Sequence, residues 1–231
     1  MNYSHSAYQP ASEAVFVEEV CALLPGFLRK RAATLEVERE VAVGNTIADL
    51  VVMLERESGQ PRIARPLTVA ESVMLSVLRR NGPLLPNEME SLYGFNGKTE
   101  QILLSLSKQG MISSARSGHV VPKRRWWGAR SMVAVEAKLL RWREALLQAR
   151  AYRRYADEAY VALPEALAAP AISEVDKFRM YGVGLLIVSE NSIRSVAAAK
   201  KSIDHDWRRE FVYSRLISGK GRESGVDYGI Y

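Results

Sequence analysis

The stretch Met132–Tyr152, MVAVEAKLLRWREALLQARAY, decides how this chain is read. Its first half is apolar with alternating faces, and its second half has the spacing of a helix. Successive side chains of a strand point to opposite faces, so residues two apart share one. Glu136 and Lys138 therefore point together, while Val133, Val135 and Ala137 point the other way. Charges inside an otherwise buried strand need a partner or a task. An ion pair on an edge strand would use the same tripeptide. In the helix that follows, Gln148 and Tyr152 stand four apart and share a face.

Working outward, the chain has 231 residues, enough for one large domain or two small ones. A hydrophobic fraction of 48% is ample for a packed core. The formal charge of +6 leans towards polyanionic partners such as nucleic acid. Cys21 is the only cysteine, so no disulfide can close within the chain, which fits a reducing, cytoplasmic setting. His5, His119 and His205 are scattered and suggest no zinc site. No apolar run is long enough for a membrane helix, and the N-terminal residues lack the pattern of a signal peptide.

Towards the N-terminus, residues 1–10 read as a flexible arm. Ser12 can cap a helix running to about Arg31, with Phe16, Val20, Leu23, Leu24 and Phe27 on its apolar face. Glu13 falls near the middle of that face, Glu18 opposite it and Glu19 at its flank. Residues Leu35 to Val43 alternate apolar with charged and predict a strand with one wet face. Gly44-Asn45 marks a hairpin turn. Ile47 to Leu54 is a second strand, apolar except for Asp49. A carboxylate there is costly unless it binds something or caps a neighbouring turn.

Residues 65–122 carry a different pattern. Thr68 and Glu71 form a capping box ahead of one helix, Pro86 to Tyr93 predicts a second, and Lys98 to Gln109 a third. A small hairpin follows. Three helices and a hairpin have the makings of a winged helix-turn-helix. Lys98 and Lys108 would lie on its reading helix. Lys123, Arg124, Arg125 and Trp126 come next, a basic run beside an aromatic that suits phosphate contact with stacking. Nine positive against four negative residues between Arg65 and Gly128 place +5 of the chain's charge here. Beyond the central stretch, Ala159 to Leu163 and Val183 to Ser189 predict strands. Helices are expected at Ser173 to Tyr181 and Ser202 to Ser218, before a glycine-rich tail over 219–231.

With the segment 65–122 set aside, the order is helix, three strands, helix, strand, with Asp49 on the second strand and Glu136-x-Lys138 on the third. This arrangement resembles the PD-(D/E)xK nuclease superfamily. Gln148-x-x-x-Tyr152 resembles the extra motif of its RecB-like branches. The residues before Asp49 are Ile-Ala, without the family's proline. The resemblance implies an α/β fold with a restriction-endonuclease-like mixed central sheet flanked by helices, here over residues 11–54 and 131–218. The winged helix would be an insertion at 65–122. It implies a metal-dependent deoxyribonuclease in which Asp49, Glu136 and the backbone carbonyl of Ala137 hold Mg²⁺ or Mn²⁺. Such hard oxygen ligands suit those ions. Lys138 would orient and deprotonate the attacking water or stabilise the developing charge. Glu13, or Glu19 in its place, would be the family's helical acid. Gln148 and Tyr152 would face the mouth of the site and hold water or the nucleic-acid backbone.

The expected partner is DNA, and cutting both strands would favour a homodimer. Two other readings use the same sequence. In one, the chain is a non-enzymatic winged-helix DNA-binding regulator on a nuclease-like fold. In the other, the inserted segment docks a protein partner in a DNA-processing or defence system.

Overall fold

The computed structural model describes residues 8–29, 34–55, 63–123 and 130–218. Residues 1–7 and 219–231, expected to be flexible ends, lie outside them, as do Arg124, Arg125 and Trp126. The described chain divides into two compact units. One draws on residues 1–58 and 129–205, the other on residues 59–128 and 206–231.

The first unit is a mixed α/β structure around an open six-stranded sheet. The strands are β1 (Thr34–Val43), β2 (Thr46–Glu55), β5 (Arg130–Ala137), β6 (Glu158–Pro164), β7 (Gly184–Ser189) and β8 (Ser192–Ala197), in that spatial order. β5, β6 and β7 run parallel to one another, and the remaining neighbours are antiparallel. The β1–β2 hairpin turns at Gly44, whose φ of +61° is a conformation that glycine adopts without strain.

Helix α1 (Glu13–Leu28) covers one face of this sheet. Ser12 caps it by accepting the Val15 N–H, as a serine at that position should. Pro25 lies inside it and removes one helical hydrogen bond, the one Cys21 would have accepted. Phe16, Val20, Leu24 and Leu28 are fully buried against Leu50, Val52, Val133, Val135, Ala162 and Leu186. Burial of side chains this size stabilises by about 1.5–3 kcal/mol each. Residues 8–10, assigned to the flexible arm by sequence, pack instead. Tyr8 rests against this core, its carbonyl accepts the Ala166 N–H at 3.4 Å, and Pro10 is buried.

Helix α5 (Trp142–Tyr152) packs on β2, β5 and β6 and buries Trp142, Ala145, Leu146, Ala149 and Tyr152. The short helices α6 (Ala169–Ile172) and α7 (Val175–Tyr181) lead into β7, and Phe178 of α7 stacks on Trp142 at 5.8 Å.

The second unit holds α2 (Val69–Asn81), α3 (Pro86–Tyr93), α4 (Thr99–Lys108), the β3 (Ile112–Ser114) and β4 (Val120–Pro122) hairpin, and α8 (Trp207–Ser218). The capping box forms as its sequence predicts. Arg65 then adds two bonds to Glu71, at 2.6 and 2.9 Å. Leu84, between α2 and α3, bridges to Val120 of the hairpin.

Two features depart from the sequence reading. The sequence pattern groups helix α8 with the residues of the first unit, yet it packs on α2. Leu67 N–H donates to Ser214 Oγ at 2.9 Å, and the Arg79 guanidinium meets the buried Glu210 carboxylate at 2.7 Å. An amphipathic pattern says that a face is buried but not against what. Strand β8 has no apolar alternation to mark it in the sequence. The β7–β8 register shifts between Leu185 and Leu186, which breaks the period-two signal a strand normally shows.

Candidate functional site

β2 and β5 are antiparallel neighbours, with Leu50 opposite Val135. One step further along that register, Asp49 and Glu136 come side by side on the face away from α1. There the backbone ladder gives way to a side chain, for Asp49 Oδ2 accepts the Ala137 N–H at 2.8 Å. Asp49 therefore caps the end of β5. Burial raises its pKa, while the Ala137 N–H and the Lys138 charge pull the other way.

Glu136 is 1% exposed. Burial, then the charge of Asp49, push its pKa up to about 7 against the opposing effects of Tyr152 and Lys138. Its two oxygens have separate neighbours. Oε2 lies 2.5 Å from the Tyr152 hydroxyl and Oε1 lies 3.3 Å from Lys138 Nζ. The Tyr152 hydroxyl also lies 2.6 Å from the Ile47 carbonyl oxygen. A phenol has one proton and a carbonyl only accepts. When Tyr152 donates to Ile47, the second short contact requires a proton on Glu136, in keeping with its raised pKa.

Lys138 follows β5 directly, and its N–H extends the parallel ladder to Ala162 O at 3.1 Å. Its ammonium reaches Glu13 Oε1 on the first turn of α1 at 2.6 Å. Burial lowers its pKa. The Glu13 hydrogen bond and the charges of Asp49 and Glu136 outweigh that, and the net shift is upward. Lys138 is thus held as a cation among three carboxylates.

The structure brings together Glu13, Asp49, Glu136, Lys138 and Tyr152. Ala137 joins them through its backbone. Gln148 is half-buried one turn before Tyr152. Tyr152, expected at the mouth, is fully buried, and its ring lies 5.9 Å from that of the equally enclosed Tyr155. Glu19 is half-buried and Glu18 pairs with Arg39, so Glu13 is the α1 acid that meets Lys138.

One neighbour went unread in the sequence. Glu40 stands opposite Asp49 in the β1–β2 register, is skipped by the ladder, and has φ +49°. Its charge contributes to the raised pKa of Asp49. The available signal was its place on the wet face of β1, where it looked like one more solvated acid.

As cation ligands, Asp49 and Glu136 offer hard carboxylate oxygens, and Mg²⁺ or Mn²⁺ commonly takes one or two of these, filling its shell with water and phosphate. The donor chemistry fits. Glu13 is engaged by Lys138, and among the described residues no group of three or more His, Cys, Asp or Glu side chains is placed to hold a metal.

In the second unit, Lys98 precedes α4 and Lys108 ends it, both exposed, with Lys123 half-exposed after β4. Glu90 takes the Gly97 N–H at 2.9 Å and the Thr99 hydroxyl, so a carboxylate already occupies the N-terminal end of α4. Anion binding by the backbone N–H groups of that helix end is therefore disfavoured, and any phosphate contact there falls to the exposed Lys98 side chain.

No family model matches the chain, and no curated protein matches it. A solved structure of a protein of unknown function from Silicibacter pomeroyi aligns over 65% of this chain and 84% of its own, at 15% identity and a TM-score of 0.29.

Proposed function

We propose that the first unit is a metal-dependent deoxyribonuclease of the PD-(D/E)xK type, with the restriction-endonuclease-like fold, and that the second is a winged helix that binds DNA. One observation carries the reading: Asp49, Glu136 and Lys138, from a strand pair joined across an insertion, converge at one end of the sheet with the Ala137 backbone between them. The winged-helix assignment is supported by three helices, a hairpin and the Leu84–Val120 bridge that ties them.

Asp49 and Glu136, with the Ala137 carbonyl, would hold Mg²⁺ or Mn²⁺, which when bound neutralises charge on the phosphoryl oxygens. The chain's own groups do the rest. Lys138, kept protonated by Glu13 and its neighbouring acids, is suited to stabilise negative charge as the phosphodiester is attacked. A raised pKa makes it a poor base, which favours that role over deprotonating water. Glu13 aims the ammonium and leaves Asp49 and Glu136 for the cation. Buried Tyr152 excludes water from the back of the site.

On the second unit, DNA contact is assigned to Lys98, Lys108, the hairpin residue Arg116 and the run beginning at Lys123. The test is cleavage of plasmid and oligonucleotide DNA with Mn²⁺. Cutting should require the metal, stop with EDTA and be lost in Asp49→Asn and Lys138→Ala. Absence of cleavage across linear, circular, single-stranded and branched DNA would overturn the reading.

A further inference from the structure

The Tyr152 hydroxyl lies where three elements meet. It belongs to the last residue of α5, touches the Ile47 carbonyl on β2 at 2.6 Å, and touches Glu136 Oε2 on β5 at 2.5 Å. Ile47 is two residues before Asp49 on the same strand. The ring itself is fully buried, so the hydroxyl has little freedom to move away. The Glu136 carboxylate can rotate about χ3, a broad terminal torsion, and only its contacts fix which oxygen faces which way. Here Oε2 is taken by Tyr152, which leaves Oε1 directed to the side where Lys138 stands at 3.3 Å.

We propose that Tyr152 is a positioning residue for Glu136: when Glu136 is ionised the single Tyr152 proton is donated to Oε2, which fixes the carboxylate so that Oε1 is presented towards Lys138 and the cation, while the nearby Ile47 carbonyl limits where the hydroxyl can sit. The proposal rests on the nuclease reading and adds to it a group that acts on metal affinity without touching metal or DNA. Outer contacts that orient a metal ligand typically change affinity or activity by about 10–100-fold when removed. Tyr152 has the same relation to Glu136, and through Ile47 it also links Glu136 to the strand that carries Asp49. A buried tyrosine that served only to fill space would leave metal binding alone when its oxygen is removed.

The experiment is calorimetric titration of the full chain with Mn²⁺, beside thermal melts in EDTA. Tyr152→Phe should weaken Mn²⁺ binding roughly 10-fold or more, with a far smaller effect on DNA binding measured in EDTA. An unchanged Mn²⁺ midpoint in Tyr152→Phe, with wild type binding normally, overturns the positioning role and leaves the nuclease reading standing. No Mn²⁺ binding by wild type overturns both. Should Tyr152→Phe fail to fold, 4-aminophenylalanine and 4-methylphenylalanine at this position make the same comparison at nearly constant volume. The amine, which keeps a donor, should bind Mn²⁺ more tightly than the methyl variant, and equal midpoints overturn the proposal.

Discussion

The ammonium of Lys138 stands 2.6 Å from Glu13 Oε1, joining the strand end to the first turn of α1. The pair is part-exposed, so its worth to stability is small. Its effect is on direction, since it holds a flexible side chain over the carboxylates. Lys138→Ala should retain Mn²⁺ and DNA binding and lose cleavage by about 100-fold or more. Glu13→Gln should fall between wild type and Lys138→Ala. Single-turnover cleavage rates check both, and wild-type cleavage by Lys138→Ala would remove the lysine from the site.

Asp49 has two tasks, cation ligand and acceptor for the Ala137 N–H. Asp49→Asn can keep the hydrogen bond through its amide oxygen but loses the charge. It should fold and abolish measurable Mn²⁺ binding. Asp49→Ala should in addition lower stability by about 1–3 kcal/mol, because the Ala137 N–H then lacks its partner. Mn²⁺ titration and chemical denaturation separate the two effects.

Glu136 predicts a pH dependence of the metal-free protein. Its pKa is about 7 in the folded chain against the ordinary 4.5. Between those values the folded state holds more protons than the unfolded state. Stability of the first unit should therefore fall as pH rises from 4.5 to 7, by up to about 3 kcal/mol, and level off above. Glu71 in the second unit works in the opposite sense. Burial raises its pKa, but the bonds from Arg65, Ser105 and Thr68 prevail and bring it to about 2. Its contribution is present above pH 4.5 and lost as pH falls towards 2. Melts in EDTA across pH 4–8, with Glu136→Gln as a control whose slope should be smaller though not zero because Asp49 is also raised, check the first slope.

Arg79 and Glu210 tie α2 to α8 with a carboxylate side chain that is 0% exposed. Removing one partner leaves a buried charge without its counterion. Arg79→Ala should destabilise the second unit by about 3–5 kcal/mol, and a neutral, volume-matched Arg79→Met/Glu210→Leu pair should cost much less. Denaturant midpoints of the two variants decide this.

Changing Lys98, Lys108 and Lys123 together to Ala should weaken DNA binding at low salt. The slope of log affinity against log salt should fall by about one for each lost phosphate contact. An unchanged slope would place the DNA contact elsewhere.

Much of the site was legible because strands have a fixed period. Alternation alone put Glu136 and Lys138 on one side, and the structure has them 3.3 Å apart. The Thr68–Glu71 box was legible because capping is local. Depth was not. The spacing of Gln148 and Tyr152 gives a helical face, yet one is half-buried and the other fully enclosed. Register was not legible either, so Glu40 could not be seen to stand across from Asp49. Partnership at long range is not legible either, since the amphipathic pattern of α8 does not say that its apolar face packs on α2.

Glu55 and Arg130 are paired in the β2–β5 ladder, so the chain leaves and re-enters the sheet at adjacent points. Topologically, everything between them is one long hairpin loop. Such a junction tolerates exchange of its cargo, because a short turn closes the same strand ends with less loop entropy to lose. A minimal sheet domain could be made by splicing Glu55 to Arg130 across a two-residue turn. The splice also strands α8, whose apolar side depends on α2, so the chain would have to end before Asp206. The insertion is therefore grafted at two places rather than one, and a transplant to another scaffold must carry both pieces.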